Sequence, residues 1–227
     1  MTELPYSLER TVVIRATPET VFRFFTDSAR WASWWGAGST IDAARGGKVY
    51  IRHGNGIESL GEVVEVRAPE EIVFTYGFAS GKPIPPGSSL VTIRLEPDPN
   101  GTRLRLRHDF ADAGTRDEHV QGWRFQLSLF GNAVANEAYA GAPDAVDSWF
   151  AAWNDSDEAS RAATFGRIAV PEICFRDRYS LLAGLADLNA HTGAAQRFMP
   201  GIRLQRNGAI RHCQGSVLAE WIAAGPD

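Results

Sequence analysis

Residues 102–110 read TRLRLRHDF, and residues 120–134 read VQGWRFQLSLFGNAV. The first stretch alternates apolar and polar side chains, the period of a half-buried strand. In the second, Val120, Trp123, Leu127, Phe130 and Val134 recur at steps of three and four, which is the stripe of an amphipathic helix. Phe125, Leu129 and Ala133 broaden that stripe. A helix with so wide an apolar face has to lie against something. The sheet that precedes it is the obvious partner.

Upstream the period of two persists. GGKVYIRH (46–53), SLGEVVEVRAP (59–69), EEIVFTYGF (70–78) and SLVTIRLEPDPNG (89–101) alternate in part, and each is bounded by Gly, Pro, Asn or Asp. They read as successive antiparallel strands joined by hairpins, with Pro97 to Gly101 the clearest turn. LERTVVIRA (8–16) reads as an earlier strand, rich in β-branched residues. Thr17-Pro18-Glu19 then opens a helix, with a capping side chain and a proline in the first turn. That helix carries Val21, Phe22, Phe24 and Phe25, and a second short helix carries Trp31, Trp34 and Trp35 before Gly36 and Gly38 end it.

Downstream, the small residues 139–143 mark a domain boundary. Asp144 is expected to cap a helix with Val146, Trp149, Phe150 and Trp153. A helix over 158–167, a strand over 168–175 and a helix over 183–198 follow. The strand candidates IRLQRNG (202–208) and AIRHCQGSVLAEW (209–221) come last. The expected fold class is α+β: a curved antiparallel sheet wrapped on a long helix over residues 6–140, then a smaller α+β cone over 144–227.

The order of elements over 6–140 is that of the helix-grip fold. VVIRATPETVFRFFTD (12–27) resembles the opening of the START-related (SRPBCC) ligand-binding superfamily. WASWWG, GGKVYIR, GEVVEV, LVTIRLEP and GTRLRLRHDF, followed by GWRFQLSLFGNAV, resemble the branch named for activators of the heat-shock-protein ATPase. DAVDSWFAAWNDSD (144–157), VPEICFRD (170–177), LLAGLADLNAHTG (181–193) and GIRLQRNGAIRHCQGSVLAEW (201–221) resemble the helices and first strands of a SnoaL-like, nuclear transport factor 2-like domain. Such domains usually run on for another strand pair. The resemblance therefore implies a truncated cone, and three alternatives stay open: a cone open on one side, completion by the first domain, or completion by another copy of the chain in a homodimer.

Composition narrows the function classes. The apolar fraction is 44% and the net charge −4, an ordinary globular balance without the basic stripe of a nucleic-acid binder. No run approaches the roughly 20 apolar residues of a membrane span, and the opening MTELPYSLER has no apolar signal core, so a cytoplasmic protein is expected. Five scattered histidines and two cysteines make no metal-ligand spacing, so neither metal nor cofactor is expected. Cys174 and Cys213 read as small apolar core residues. GxSxG, GxGxxG, HExxH and Walker signatures are absent, and HGNG (53–56) belongs to a hairpin.

A sheet wrapped on a single helix leaves space between them, and such cavities are mostly apolar with a few oriented polar groups. Trp35, Tyr50, Tyr76, Phe78, Phe110, Trp123 and Leu127 are expected around it, each equally readable as plain core. Arg52, Glu58, His108 and Asp109 are the polar candidates. His108 and Asp109 are neighbours on one strand, so they face opposite sides and form no acid–base pair. His108 alone would orient a ligand, act as a base, or serve as a hydrogen-bonded structural residue. Arg52 and Glu58 flank the 53–56 turn as an expected ion pair. In the second domain Asp177 reads as a turn former or an inward base, with His191, Trp149 and Trp153 as a wall. The expected function is binding of a small, largely apolar molecule, with no catalytic residue assigned. An enzyme acting on polyketide-like, aromatic or terpenoid molecules, and a co-chaperone-like ATPase activator, are the alternatives.

Overall fold

A computed structural model describes residues 3–213 and 215–225. The described residues form two compact units, one from 3–138 with Cys213 and Gly215, the other from Tyr139–His212 and 216–225. The first contains β1 (Tyr6–Ile14), α1 (Pro18–Arg23), α2 (Ser28–Trp35), β2 (Thr40–Ile41), β3 (Lys48–Arg52), β4 (Glu58–Arg67), β5 (Glu71–Tyr76), β6 (Ser89–Asp98), β7 (Gly101–Phe110) and α3 (Ala113–Ala138). The second contains α4 (Ala142–Asn154), α5 (Glu158–Ile168), β8 (Cys174–Arg176), β9 (Leu181–Ala183), α6 (Leu185–Phe198), β10 (Arg203–Cys213) and β11 (Ser216–Ala224).

In the first unit the strands run in the order β1-β7-β6-β5-β4-β3-β2, each antiparallel to its neighbours. The alternation of β7 sets its faces: Leu104 and Leu106 point to the core, while Arg103, Arg105 and Arg107 pair with Asp98, Glu96 and Asp109. A register shift between Val63 and Glu65 bends β4 against β5, the local curvature a bulge provides. The stripe on α3 buries Trp123, Leu127, Phe130 and Val134, and the helix packs on β1 and β7 and on α1 and α2. Phe125 and Leu129 do not join it: they are 65% and 37% exposed, because two residues of helix rotate a side chain to nearly the opposite face from Trp123 or Leu127.

The paired short helices form as their caps dictate. Thr17 accepts from the Thr20 amide at 3.4 Å and Asp27 from the Arg30 amide at 2.8 Å. They deliver Phe24, Phe25, Trp31 and Trp34, all essentially without exposure, to the α3 stripe; Phe25 stacks on Phe130 at 4.9 Å. Each such side chain is worth about 2 kcal/mol of transfer free energy. Arg30 Nε donates to Glu137 at 2.7 Å, tying α2 to the end of α3.

The second unit packs Ala152, Phe165 and Leu188 behind Trp149, Trp153, Phe175 and Leu182. Buried Arg161 donates to Asn189 at 2.7 Å and to the Asp155 carbonyl at 2.9 Å. Here the local expectations need correction. Asp144 lies in the first turn of α4, after Gly141 at the cap. The strand read over 168–175 shrinks to β8 and gains a partner in β9, and β10 runs unbroken through Asn207-Gly208. Cys174 and Cys213 are exposed free thiols, not core residues.

Candidate functional site

Four segments of the first unit meet around a cavity of about 590 Å³. Trp35 comes from the end of α2, His53, Gly54, Asn55 and Ile57 from the β3–β4 hairpin, Tyr76, Phe78 and Pro83 from the end of β5 and the loop after it, and Glu118, His119, Gly122, Trp123, Phe125 and Gln126 from α3. Gly36 places Trp35. Its φ is +147°, and a Cβ there would lie 2.2 Å from the Arg52 carbonyl oxygen, so only glycine lets α2 end against β3.

The rings close into a circuit. Trp35 contacts His53 (5.7 Å between centroids), His53 contacts Phe78 (6.4 Å), and Phe78 contacts His119 (5.9 Å). His119 contacts His108 (5.5 Å), His108 contacts Trp123 (5.9 Å), and Trp123 returns to Trp35 (5.6 Å). Tyr76 sits edge-on to Phe78, His108 and His119.

Hydrogen bonds assign the histidine protons. The Trp123 indole, a donor only, reaches His108 Nδ1 at 2.9 Å, so that nitrogen accepts and Nε2 bears the hydrogen. His108 Nε2 then donates to Ser89 Oγ at 2.8 Å, which donates to the Tyr76 carbonyl at 2.8 Å. His119 is the opposite tautomer: its Nδ1 lies 2.7 Å from the Thr115 carbonyl and must donate, which leaves Nε2 a bare acceptor. His53 Nε2 lies 3.0 Å from Ser59 Oγ, and Ser59 donates to the Tyr76 phenol at 3.0 Å. Burial lowers the pKa of all three imidazoles; that of His108 falls well below 6.5, with His119 adding to the effect. Burial also pushes the Tyr76 phenol up to about 12, against the opposing hydrogen bond from Ser59.

Two polar atoms of the lining, Trp35 Nε1 and His119 Nε2, are buried without a partner. The lining contains no lysine or arginine, and its one carboxylate, Glu118, is exposed together with Phe125 and Ile57.

Of the residues expected around the cavity, Trp35, Tyr76, Phe78 and Trp123 line it. His108 and Phe110 lie behind that lining, fully buried, with ring centroids 3.9 Å apart. Leu127 lines a separate cleft with Arg10, Val12 and Arg124. Tyr50 and Arg52 sit on the face of β3 opposite buried Val49 and Ile51. The register sets Arg52 opposite Glu58, yet the Glu58 carboxylate accepts from the Tyr50 phenol at 2.6 Å, and among the described residues no ion pair joins Arg52 to Glu58. Sequence reasoning missed His53 and His119. His119 was within reach, since it precedes Trp123 by four residues and so shares its helix face.

In the second unit Asp177 is exposed and accepts from the Tyr179 and Ser180 amides at 2.7 and 2.6 Å, so its carboxylate builds a turn. His191 does meet Trp153 and Phe175, with centroids 5.9 and 6.0 Å away. Among the described residues no helix is long and apolar enough to cross a membrane, and no cluster of three metal-ligating side chains forms.

No curated protein matches the chain. A solved protein from Mesorhizobium loti is similar in fold, with 22% identity and a TM-score of 0.51 over 57% of this chain and 96% of its own. The AHSA1 protein from Silicibacter pomeroyi (25% identity, TM-score 0.49) covers 58% of this chain and 99% of its own. The Aha1 dimer from Colwellia psychrerythraea (16%, 0.49) covers 57% and 96%. The family model described as Activator of Hsp90 ATPase homolog 1-like protein matches residues 15–134, which is more than half of the sequence, and the chain belongs to that family.

Proposed function

We propose that the first unit binds a small, largely apolar molecule in the cavity bounded by α2, the β3–β4 hairpin, the end of β5 and α3. The cavity itself supports this reading: its volume is that of a site for a drug-sized ligand, and its walls are aromatic with few polar groups. Native mass spectrometry of the freshly purified protein tests for a retained molecule, and titration with Nile red, a neutral apolar dye, tests for an accessible site. Saturable dye uptake at one site per chain supports the reading. An empty protein that takes up no dye removes it.

We propose further that the second unit is the SnoaL-like, cone-forming domain. The succession of helix pair, short strands, helix and hairpin supports this, as does the wall of Trp149, Trp153, Phe175 and His191. A homodimer belongs to the same reading. Light scattering that finds a single-chain mass at every dilution removes it.

A further inference from the structure

Side chains alternate along a strand, so β1 carries Leu8, Arg10, Val12 and Ile14 on one face. Leu8 and Ile14 are buried there, and the register sets Arg10 opposite Leu106 of β7, which is buried too. An arginine therefore stands on the face that the sheet turns to its core. On α3, Arg124, Leu127, Ser128 and Gly131 have the spacing of a single helical stripe. The two stripes, with Val13, bound a cleft of about 400 Å³. Ser128 and Gly131 are small, which leaves the space between strand and helix open.

Charge sets this cleft apart. On the surrounding elements Arg94 pairs with Glu71, Arg103 with Asp98, Arg105 with Glu96, Arg107 with Asp109 and Arg116 with Asp117. Arg10 and Arg124 join no ion pair among the described residues, and the cleft lining has no aspartate or glutamate. Arg10 Nη1 donates to the Glu9 carbonyl at 2.9 Å, and Arg124 Nη1 to Gln121 Oε1 at 3.5 Å. A guanidinium has five N–H donors, so most remain unused. Arg10 Nε is buried, which leaves its terminal nitrogens to meet a ligand. An arginine stem can run along apolar surface to reach water, and that explains Arg10 taken by itself. It gives no reason for α3 to bring a second cation to the same cleft, where like charges repel. A bound anion removes that cost.

We propose that the cleft between β1 and α3 binds a small amphiphilic anion, its carboxylate or phosphate head attracted by Arg10 and Arg124 and its apolar body lying on Val12, Ile14 and Leu127. Arginine suits either head, because the planar guanidinium can donate two parallel N–H bonds to it. Arg10 and Arg124 are absent from the lining of the cavity described above, so this site stands whether or not that cavity holds a ligand.

The test is calorimetric titration of the full chain with decanoate, decyl phosphate and, as the uncharged control, 1-decanol. At least one anion is expected to bind at one site per chain, more weakly as sodium chloride is added, and the tighter of the two identifies the head group. In Arg124→Gln its affinity should fall roughly tenfold, the usual effect of losing a hydrogen bond to a charged group. Arg124 is exposed on α3, so this variant keeps the fold. Arg10→Gln should act in the same direction and Arg10→Lys, which keeps the charge, should recover most of the loss. Ser128→Phe fills the cleft from the helix side and should abolish the binding. The site is overturned if neither anion binds, or if wild type and both glutamine variants bind alike. It is equally overturned if 1-decanol shows the same losses as the anions, or if binding survives Ser128→Phe and disappears in Gly122→Leu, which would place the anion in the other cavity.

Discussion

Acidifying the protein from about pH 7.5 to about pH 5.5 should cost stability well before its carboxylates titrate. The cause is His108, fully buried between Ser89, Trp123, Phe110, Tyr76 and His119 with both ring nitrogens committed. Burial, then the nearby His119, lowers its pKa well below 6.5, so the folded state binds fewer protons than the unfolded state once the pH falls through 6.5. Its contribution to stability is thus complete above 6.5 and shrinks as the pH drops further, until the folded-state pKa is reached. One pH unit below the unfolded value, a histidine that stays neutral in the fold has lost roughly 1.4 kcal/mol. His53 and His119, also lowered mainly by burial, act with the same sign. The carboxylates with lowered pKa values, among them Glu71, Asp98 and Asp112, start from 4.5 or 3.8 and matter only at more acid pH. Urea unfolding followed by tryptophan fluorescence at three pH values measures the slope. The same series on His108→Gln, which can still accept from Trp123 and donate to Ser89, should give a slope shallower by about one proton. Contributions of the second unit are common to both proteins and cancel. A wild-type stability flat between these pH values, or equal slopes in the two proteins, would refute the buried neutral imidazole.

Three further outcomes follow from single residues. Trp123→Phe strands His108 Nδ1 and should lower unfolding free energy by about 1–3 kcal/mol, read from urea midpoints; no loss would mean that the bond is not formed. Gly61→Ala would place a Cβ 1.7 Å from the Thr75 carbonyl oxygen, forcing β4 from β5, and should cost more than about 2 kcal/mol or prevent folding altogether, seen by circular dichroism. At Gly122, on α3, a Cβ meets nothing within 4 Å and the residue lines the cavity. Gly122→Leu should gain up to about 1 kcal/mol of helix propensity in thermal melts while weakening Nile red uptake, so a stabilised variant with undiminished dye binding would move the site elsewhere.

The fold of the first unit was legible because its periods are long. Ten residues each in β6 and β7 and twenty-six in α3 give the alternation and the stripe room to show. Where the signal is short or degenerate it fails. In β3, KVYIR puts three apolar residues in a row, so nothing local says whether Tyr50 or its neighbours Val49 and Ile51 face the core. The three-residue strands β8 and β9 are too brief for any period, and Asn207-Gly208 carries turn chemistry inside what is one strand. The site was half legible. Trp35, Tyr76, Phe78 and Trp123 stand on the right elements, but His53 belongs to a hairpin that only the folded sheet brings over α2 and α3.

An aromatic residue in such a sequence reads equally as core or as cavity wall, and burial does not separate the two. Trp35 and Trp123 are 7% and 4% exposed, hardly different from Trp34 at 2%, which belongs to the packed core. Hydrogen bonding does not separate them either. Trp123 lines the cavity and its indole is paired with His108, while Trp153 lies outside that lining and its Nε1 has no partner. What distinguishes a wall from a core is whether a ligand reaches it. Nile red uptake, weakened when Gly122→Leu fills the space, is therefore the measurement that decides between the two readings.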